Sequence, residues 1–116
     1  MTEAQIQAAI MLAVGGREDT RVFRNNAGVA HYPDGSVVRY GVGNPGGSDL
    51  IGIQAVTITP AMVGQVIGRF VALEVKANGR ATQEQRAFIA MVLRFGGVAG
   101  VVRSPEEAVA VLEASR

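Results

Sequence analysis

The sequence predicts an α/β domain in which a mixed β-sheet is flanked by helices, and three observations predict it. The apolar run Phe70-Val-Ala-Leu-Glu-Val75, bounded by Arg69 and by Asn78-Gly79, has the length and composition of a buried strand. Two helix-start signatures, Thr82-Gln-Glu-Gln85 and Ser104-Pro-Glu-Glu107, follow it, with a short apolar stretch between them. A third signature, Thr2-Glu-Ala-Gln5, opens the chain. The order is helix, a run of strands, then helix, strand and helix, or α-βββ-α-β-α.

The 116 residues suit one domain, 1–116, large enough for a core without staples. Hydrophobic residues make up 48% and charged residues 18%, a globular balance. The absence of cysteine excludes disulfides and thiolate metal sites. Eleven basic residues face ten acidic ones, so any basic surface has to be a local arrangement. No secretory signal is visible: the first dozen residues carry Glu3 and no basic region. The most apolar tract, Phe88 to Val102, is interrupted by Arg94 and glycines and is too short to span a bilayer. The expectation is a soluble protein with no membrane partner and no small-molecule cofactor.

In chain order, the first helix is expected from Glu3 to about Val14, stopped by Gly15-Gly16, with Ile6, Ile10 and Ala13-Val14 as its inward stripe. Glu3 falls on that stripe, although an acid in a first turn also favours the helix dipole. Arg21 to Asn26 reads as a strand. Val29 to Tyr32 and Ser36 to Tyr40 read as a hairpin around Pro33-Asp34-Gly35. His31, the only histidine, reads as a surface residue with no catalytic role.

Gly41 to Ser48 is a glycine-rich approach loop whose spacing fits neither a Walker A nor a dinucleotide fingerprint. It delivers Asp49 to the apolar run Leu50-Ile-Gly-Ile53. Gln54 to Thr59 continues in β-branched residues until Pro60, and 61–68 is a connector. The second helix runs from Thr82 to about Phe95 with Phe88, Ile89 and Val92 buried. Gln85 is then both the reciprocal cap of Thr82 and a side chain directed at the sheet. Val98 to Arg103 is a short buried strand. Ser104 caps the last helix, with Pro105 in its first position.

Strand alternation puts Phe70, Ala72, Glu74 and Lys76 on one face. A carboxylate and an ammonium two residues apart on one face of a core strand need partners or a chemical task. Magnesium and manganese prefer oxygen ligands, usually a couple of carboxylates with carbonyls and water. Asp49 and Glu74 are candidate carboxylates, with the backbone carbonyl of Val75 facing the same opening and Glu3 a further acid. Lys76 beside that centre could lower the pKa of a water or neutralise a pentavalent phosphate.

Gly47-Ser48-Asp49-Leu50, Leu73-Glu74-Val75-Lys76, Thr82-Gln83-Glu84-Gln85-Arg86 and the ending from Gly97 to Glu107 together resemble the virus-type replication-repair nuclease (VRR-NUC) domain. That domain is a branch of the PD-(D/E)xK nuclease superfamily with the restriction-endonuclease-like fold. The resemblance spans nearly the whole chain and is weakest over Gly28 to Tyr40. It implies Asp49 and Glu74 as metal ligands for Mg²⁺ or Mn²⁺, Lys76 as the catalytic lysine, and Gln85 as the helix glutamine that positions lysine, water or phosphate. Glu3 matches the acid of the family's first helix, near the metal directly or through water. Ser48 stands where the family's motif has proline.

The resemblance is to small stand-alone phage or prophage forms in the bacterial or infected-host cytoplasm. Such forms are associated with homodimers that cut branched DNA, including four-way (Holliday) junctions. It therefore implies a DNA endonuclease active in repair, with Arg80, Arg86 and Arg24 as candidate DNA contacts. Aromatic residues at 5% argue for backbone recognition over base stacking. Two readings of other classes stand beside this one. One is a non-catalytic or partner-activated DNA-binding module of the same fold. The other is a structural domain in which Glu74 and Lys76 form ion pairs.

Overall fold

The structure, a computed structural model, describes residues 2–114. The chain is mixed α/β, with small sheets flanked by helices. Its elements in order are α1 (Glu3–Gly15), β1 (Thr20–Arg24), β2 (Gly28–His31), β3 (Val37–Tyr40), β4 (Leu50–Gln54), a 3-10 turn (Pro60–Met62), β5 (Val71–Val75), α2 (Gln83–Arg94), β6 (Val98–Val102) and α3 (Pro105–Glu113). Hydrogen bonds join the strands in pairs, β1 with β4, β2 with β3 and β5 with β6. The single mixed sheet expected from the sequence is thus drawn as three two-stranded sheets. The chain forms two compact units, Met1–Gly52 and Ile53–Arg116.

In the first unit, Thr2 Oγ1 accepts from the Gln5 N–H at 3.1 Å and Gln5 Oε1 accepts from the Thr2 N–H at 2.9 Å, the predicted capping box of α1. The inward face of α1 differs from the expectation. Gln7, Met11 and Val14 are half-buried, whereas Ile6 and Ile10 are each 44% exposed and Glu3 is exposed with them. The helix is apolar on almost every side, so hydrophobic periodicity does not choose a face, and packing on β1 does.

The turn from α1 into β1 is closed by Arg17, which donates from Nε and Nη2 to the two oxygens of Asp19 at 2.9 and 3.0 Å. Thr20 donates its hydroxyl to the same carboxylate at 2.8 Å. These bonds from Arg17 and Thr20 lower the Asp19 pKa to about 2. Because the folded-state value is depressed, the contribution of Asp19 is complete above its unfolded-state value near ~3.9 and is lost as pH falls towards about 2. An NMR titration should show the Asp19 carboxyl with a midpoint near 2, and a midpoint at the ordinary aspartate value would refute the clamp.

The hairpin forms as read. β2 and β3 pair antiparallel with Gly28 opposite Tyr40 and His31 opposite Val37. The Asp34 carboxylate accepts from the Ser36 N–H and hydroxyl, and Gly35 takes φ +88°, a left-handed conformation that glycine adopts without strain. The loop after β3, expected to be a flexible approach, is instead pinned by two asparagines. Asn25 Nδ2 donates to the carbonyls of Val42 and Ser48, and its Oδ1 accepts from the Val42 N–H. Asn44 Nδ2 donates to the carbonyls of Gly28 and Tyr40, both at 2.7 Å.

In the second unit, β5 and β6 run parallel, from Val71 beside Val98 to Val75 beside Val102. The Lys76 N–H donates to the Val102 carbonyl at 3.1 Å and carries the ladder one residue past β5. α2 packs on both strands and α3 on β6. The buried hydrophobic side chains described in this unit are Ile53, Ala81, Val92, Val98 and Val102, with Val92 at 0% exposure. β5 is less buried than its composition suggests, since Val75 is 72% exposed and Val71 is exposed with it. Phe70 meets Phe88 of α2, while β5 is hydrogen-bonded to β6 alone among the described strands, which leaves its other edge unpaired. The strand read through Gln54 to Thr59 stops at Gln54. No helix among the described residues is long and apolar enough to cross a membrane.

Candidate active site

The second unit holds a cleft of about 570 Å³ between β5 and α2. Its apolar floor includes Phe70, Leu73, Phe88 and Ile89, with the rings of Phe70 and Phe88 edge to face at 6.5 Å between centroids. Its polar lining is Glu74 from β5 with Glu84 and Gln85 from the first turn of α2. Glu74 is half-buried as a residue, and its carboxylate makes no hydrogen bond or ion pair with any described residue.

Gln85 reaches this cleft because of its cap. Thr82 Oγ1 accepts from the Gln85 N–H at 3.1 Å, and Gln85 Oε1 accepts from the Thr82 N–H at 2.8 Å. The cap consumes the amide oxygen and leaves the NH₂ group as the donor available to the cleft. Both roles expected of Gln85 are therefore present in one side chain.

Lys76 lies just beyond β5, half-buried, and alternation places it on the face of Glu74. Its ammonium is not ion-paired to a described residue. The ion pairs that the structural reading assigns to Glu74 and Lys76 are not formed among the described residues. Val75, whose carbonyl was a candidate ligand, is the last residue of β5.

Asp49 and Glu3 belong to the first unit. Asp49 is exposed at the entry to β4, and its carbonyl accepts from the Asn25 N–H at 2.8 Å. Asn25 thus holds both the glycine loop and the residue it delivers, a role the sequence hid because its partners lie 17 and 23 residues away. Within either unit, no three histidine, aspartate or glutamate side chains among the described residues are grouped as a ready metal cage.

Of the candidate DNA contacts, Arg24 lies exposed beside Ala4, Gln7, Ala8 and Met11 of α1. Arg80 is exposed in the loop from β5 to α2, and Arg86 turns back to donate from Nη1 to the Ala81 carbonyl. Glu84 is the cleft residue that sequence reading passed over. Its position next to Gln85 on a capped helix was the available signal. No family model, curated protein or solved structure matches the chain.

Proposed function

We propose that this chain is a divalent-metal-dependent DNA endonuclease of the VRR-NUC kind, built on a restriction-endonuclease-like core and selective for branched DNA such as four-way junctions. The observation that carries the reading is the end of β5. There two half-buried residues, Glu74 and Lys76, stand on one face with no ion-pair partner among the described residues, and Gln85 shares the cleft of Glu74. An acid and a base held side by side at the end of a strand, without ion-pair partners of their own, are the residue types that a phosphate and its metal would engage.

The donor set fits Mg²⁺ or Mn²⁺. In the second unit Glu74 and the Val75 carbonyl are hard oxygen donors, Asp49 of the first unit is a further candidate carboxylate, and the chain has no thiolate to favour a softer metal. With at most a couple of carboxylates, such an ion would keep water in its shell, as magnesium does. Glu3 is assigned a supporting role through water. When bound, the cation supplies Lewis acidity at the phosphoryl oxygen.

The remaining steps belong to the chain. Lys76 holds a fixed positive charge where negative charge grows on the phosphate as water attacks phosphorus and the P–O bond to the leaving strand breaks. The Gln85 NH₂ group donates to a phosphate oxygen or to the attacking water and orients it. In a homodimer, two-fold symmetry would offer two clefts to two strands, which suits a junction.

The test is cleavage of end-labelled four-way junction, flap and linear duplex DNA by the wild type with Mg²⁺, Mn²⁺ or EDTA. Metal-dependent cutting with the junction or flap preferred is the expected result. Junction binding without cutting in either metal would replace the nuclease by the DNA-binding module of the same fold.

A further inference from the structure

At the carboxyl end of the β5–β6 pair one short loop carries Arg80 and anchors two further arginines, Arg86 and Arg103. Arg103, the residue after β6, donates from Nη2 to the Gly79 carbonyl at 2.5 Å. Arg86, in the second turn of α2, donates to the Ala81 carbonyl. Arg80 sits between those two carbonyls. Carbonyls two residues apart are separated by at most about 7 Å, so the loop anchors the Arg86 and Arg103 groups near one another, with the exposed Arg80 between their anchors in sequence.

Two physical points make this arrangement informative. The N-terminus of a helix already carries a partial positive charge, and cations are favoured at the opposite end. Arg86 nevertheless folds back to the start of α2, adding charge of the same sign. Second, the arginines are anchored by carbonyls and not by carboxylates. No described acid lies within ion-pair distance of any of the three, although Glu84, Glu106 and Glu107 occupy the first turns of α2 and α3. A guanidinium has five N–H donors, and a single carbonyl leaves most of them free for planar, paired contacts with phosphate oxygens.

We propose that Arg80, Arg86 and Arg103 form one surface that binds the phosphodiester backbone of DNA, with Arg103 also holding the loop that carries Arg80. The assignment of Arg103 is new, and it rests on the DNA reading above while concerning binding and not hydrolysis. The surface stands at the end of the sheet where Lys76 leaves β5, so a backbone held there runs past the cleft mouth.

The experiment is fluorescence anisotropy of a labelled DNA duplex in EDTA, where metal-dependent cleavage is blocked, across a series of salt concentrations. Each lost phosphate contact reduces the slope of log affinity against log salt by about 0.9, so the triple variant Arg80→Ala, Arg86→Ala, Arg103→Ala should flatten it by about 2.7. Arg80→Ala alone should flatten it by about 0.9, and this variant removes no side-chain bond to a described residue. Arg94→Ala, at the other end of α2, is the control and should leave the slope unchanged. A wild-type slope in the triple and Arg80 variants, equal flattening by Arg94→Ala, or no duplex binding by the wild type would overturn the proposal. Hydrolysis failing while the slopes behave as stated would overturn the nuclease reading and leave this surface standing.

Discussion

Lys76→Ala should cut metal-dependent DNA cleavage at least about a hundredfold while leaving the fold and duplex affinity close to wild type, the scale on which a preorganised charge at a transition state acts. The side chain is half-buried at the end of β5 and makes no ion pair with a described residue, so its removal breaks no protein contact of that kind. In the proposed mechanism, what disappears is a positive charge beside the phosphate oxygens on which negative charge develops. Because that interaction strengthens in the transition state, kcat should fall while KM stays nearly constant. Lys76→Arg should recover little, since a planar fork does not replace a compact ammonium at a fixed position. Single-turnover cleavage with saturating enzyme separates the effects. A variant that cuts within a few-fold of wild type would remove Lys76 from the chemistry.

A large loss of stability is expected at a residue outside the site. A Cβ on Gly52 would lie 2.0 Å from the Arg21 carbonyl oxygen and 2.9 Å from the Val22 Cα, both backbone atoms that no rotamer change can move aside. The β1–β4 pair closes at this distance because Gly52 has no side chain. Gly52→Ala should therefore destabilise by about 3 kcal/mol, at the upper end of ordinary overpacking, and lower the thermal midpoint by roughly 10 °C. Gly15→Ala is the matched comparison. It adds the same methyl to the last residue of α1, where nothing lies within 4 Å, and alanine is the better helix residue by about 1 kcal/mol. Thermal denaturation of the two variants should move in opposite directions. A Gly52→Ala protein as stable as wild type would mean that β1 and β4 do not approach as described.

What the sequence made legible was local. Both capping boxes and the Ser104-Pro105 start depend on residues three positions apart, and all three helices begin where those signals lie. The hairpin turn was equally readable, because Asp34 and Gly35 carry its chemistry within two residues. The cleft was half legible: alternation along β5 and the cap of α2 were enough to bring Glu74 and Gln85 to one opening.

The misses were matters of tertiary choice. An α1 that is apolar all round could not reveal that Gln7 and Met11, and not Ile6 and Ile10, face inward. The β-branched run after Gln54 has strand propensity but forms no ladder, since propensity without a pairing partner does not make a strand. The Asn25 clamp and the close approach at Gly52 join positions far apart in sequence, where no local pattern announces them.

The central claim is that the end of β5, with Gln85 beside it, is a divalent-metal site serving phosphodiester hydrolysis. The most direct test is to titrate Mn²⁺ into isotope-labelled protein and follow paramagnetic broadening residue by residue. The account predicts that the backbone signals of Glu74 and Val75 and the side-chain amide of Gln85 broaden first, and that Glu74→Gln abolishes this at the same metal concentration. Broadening confined to other parts of the chain, or unchanged in Glu74→Gln, would contradict it.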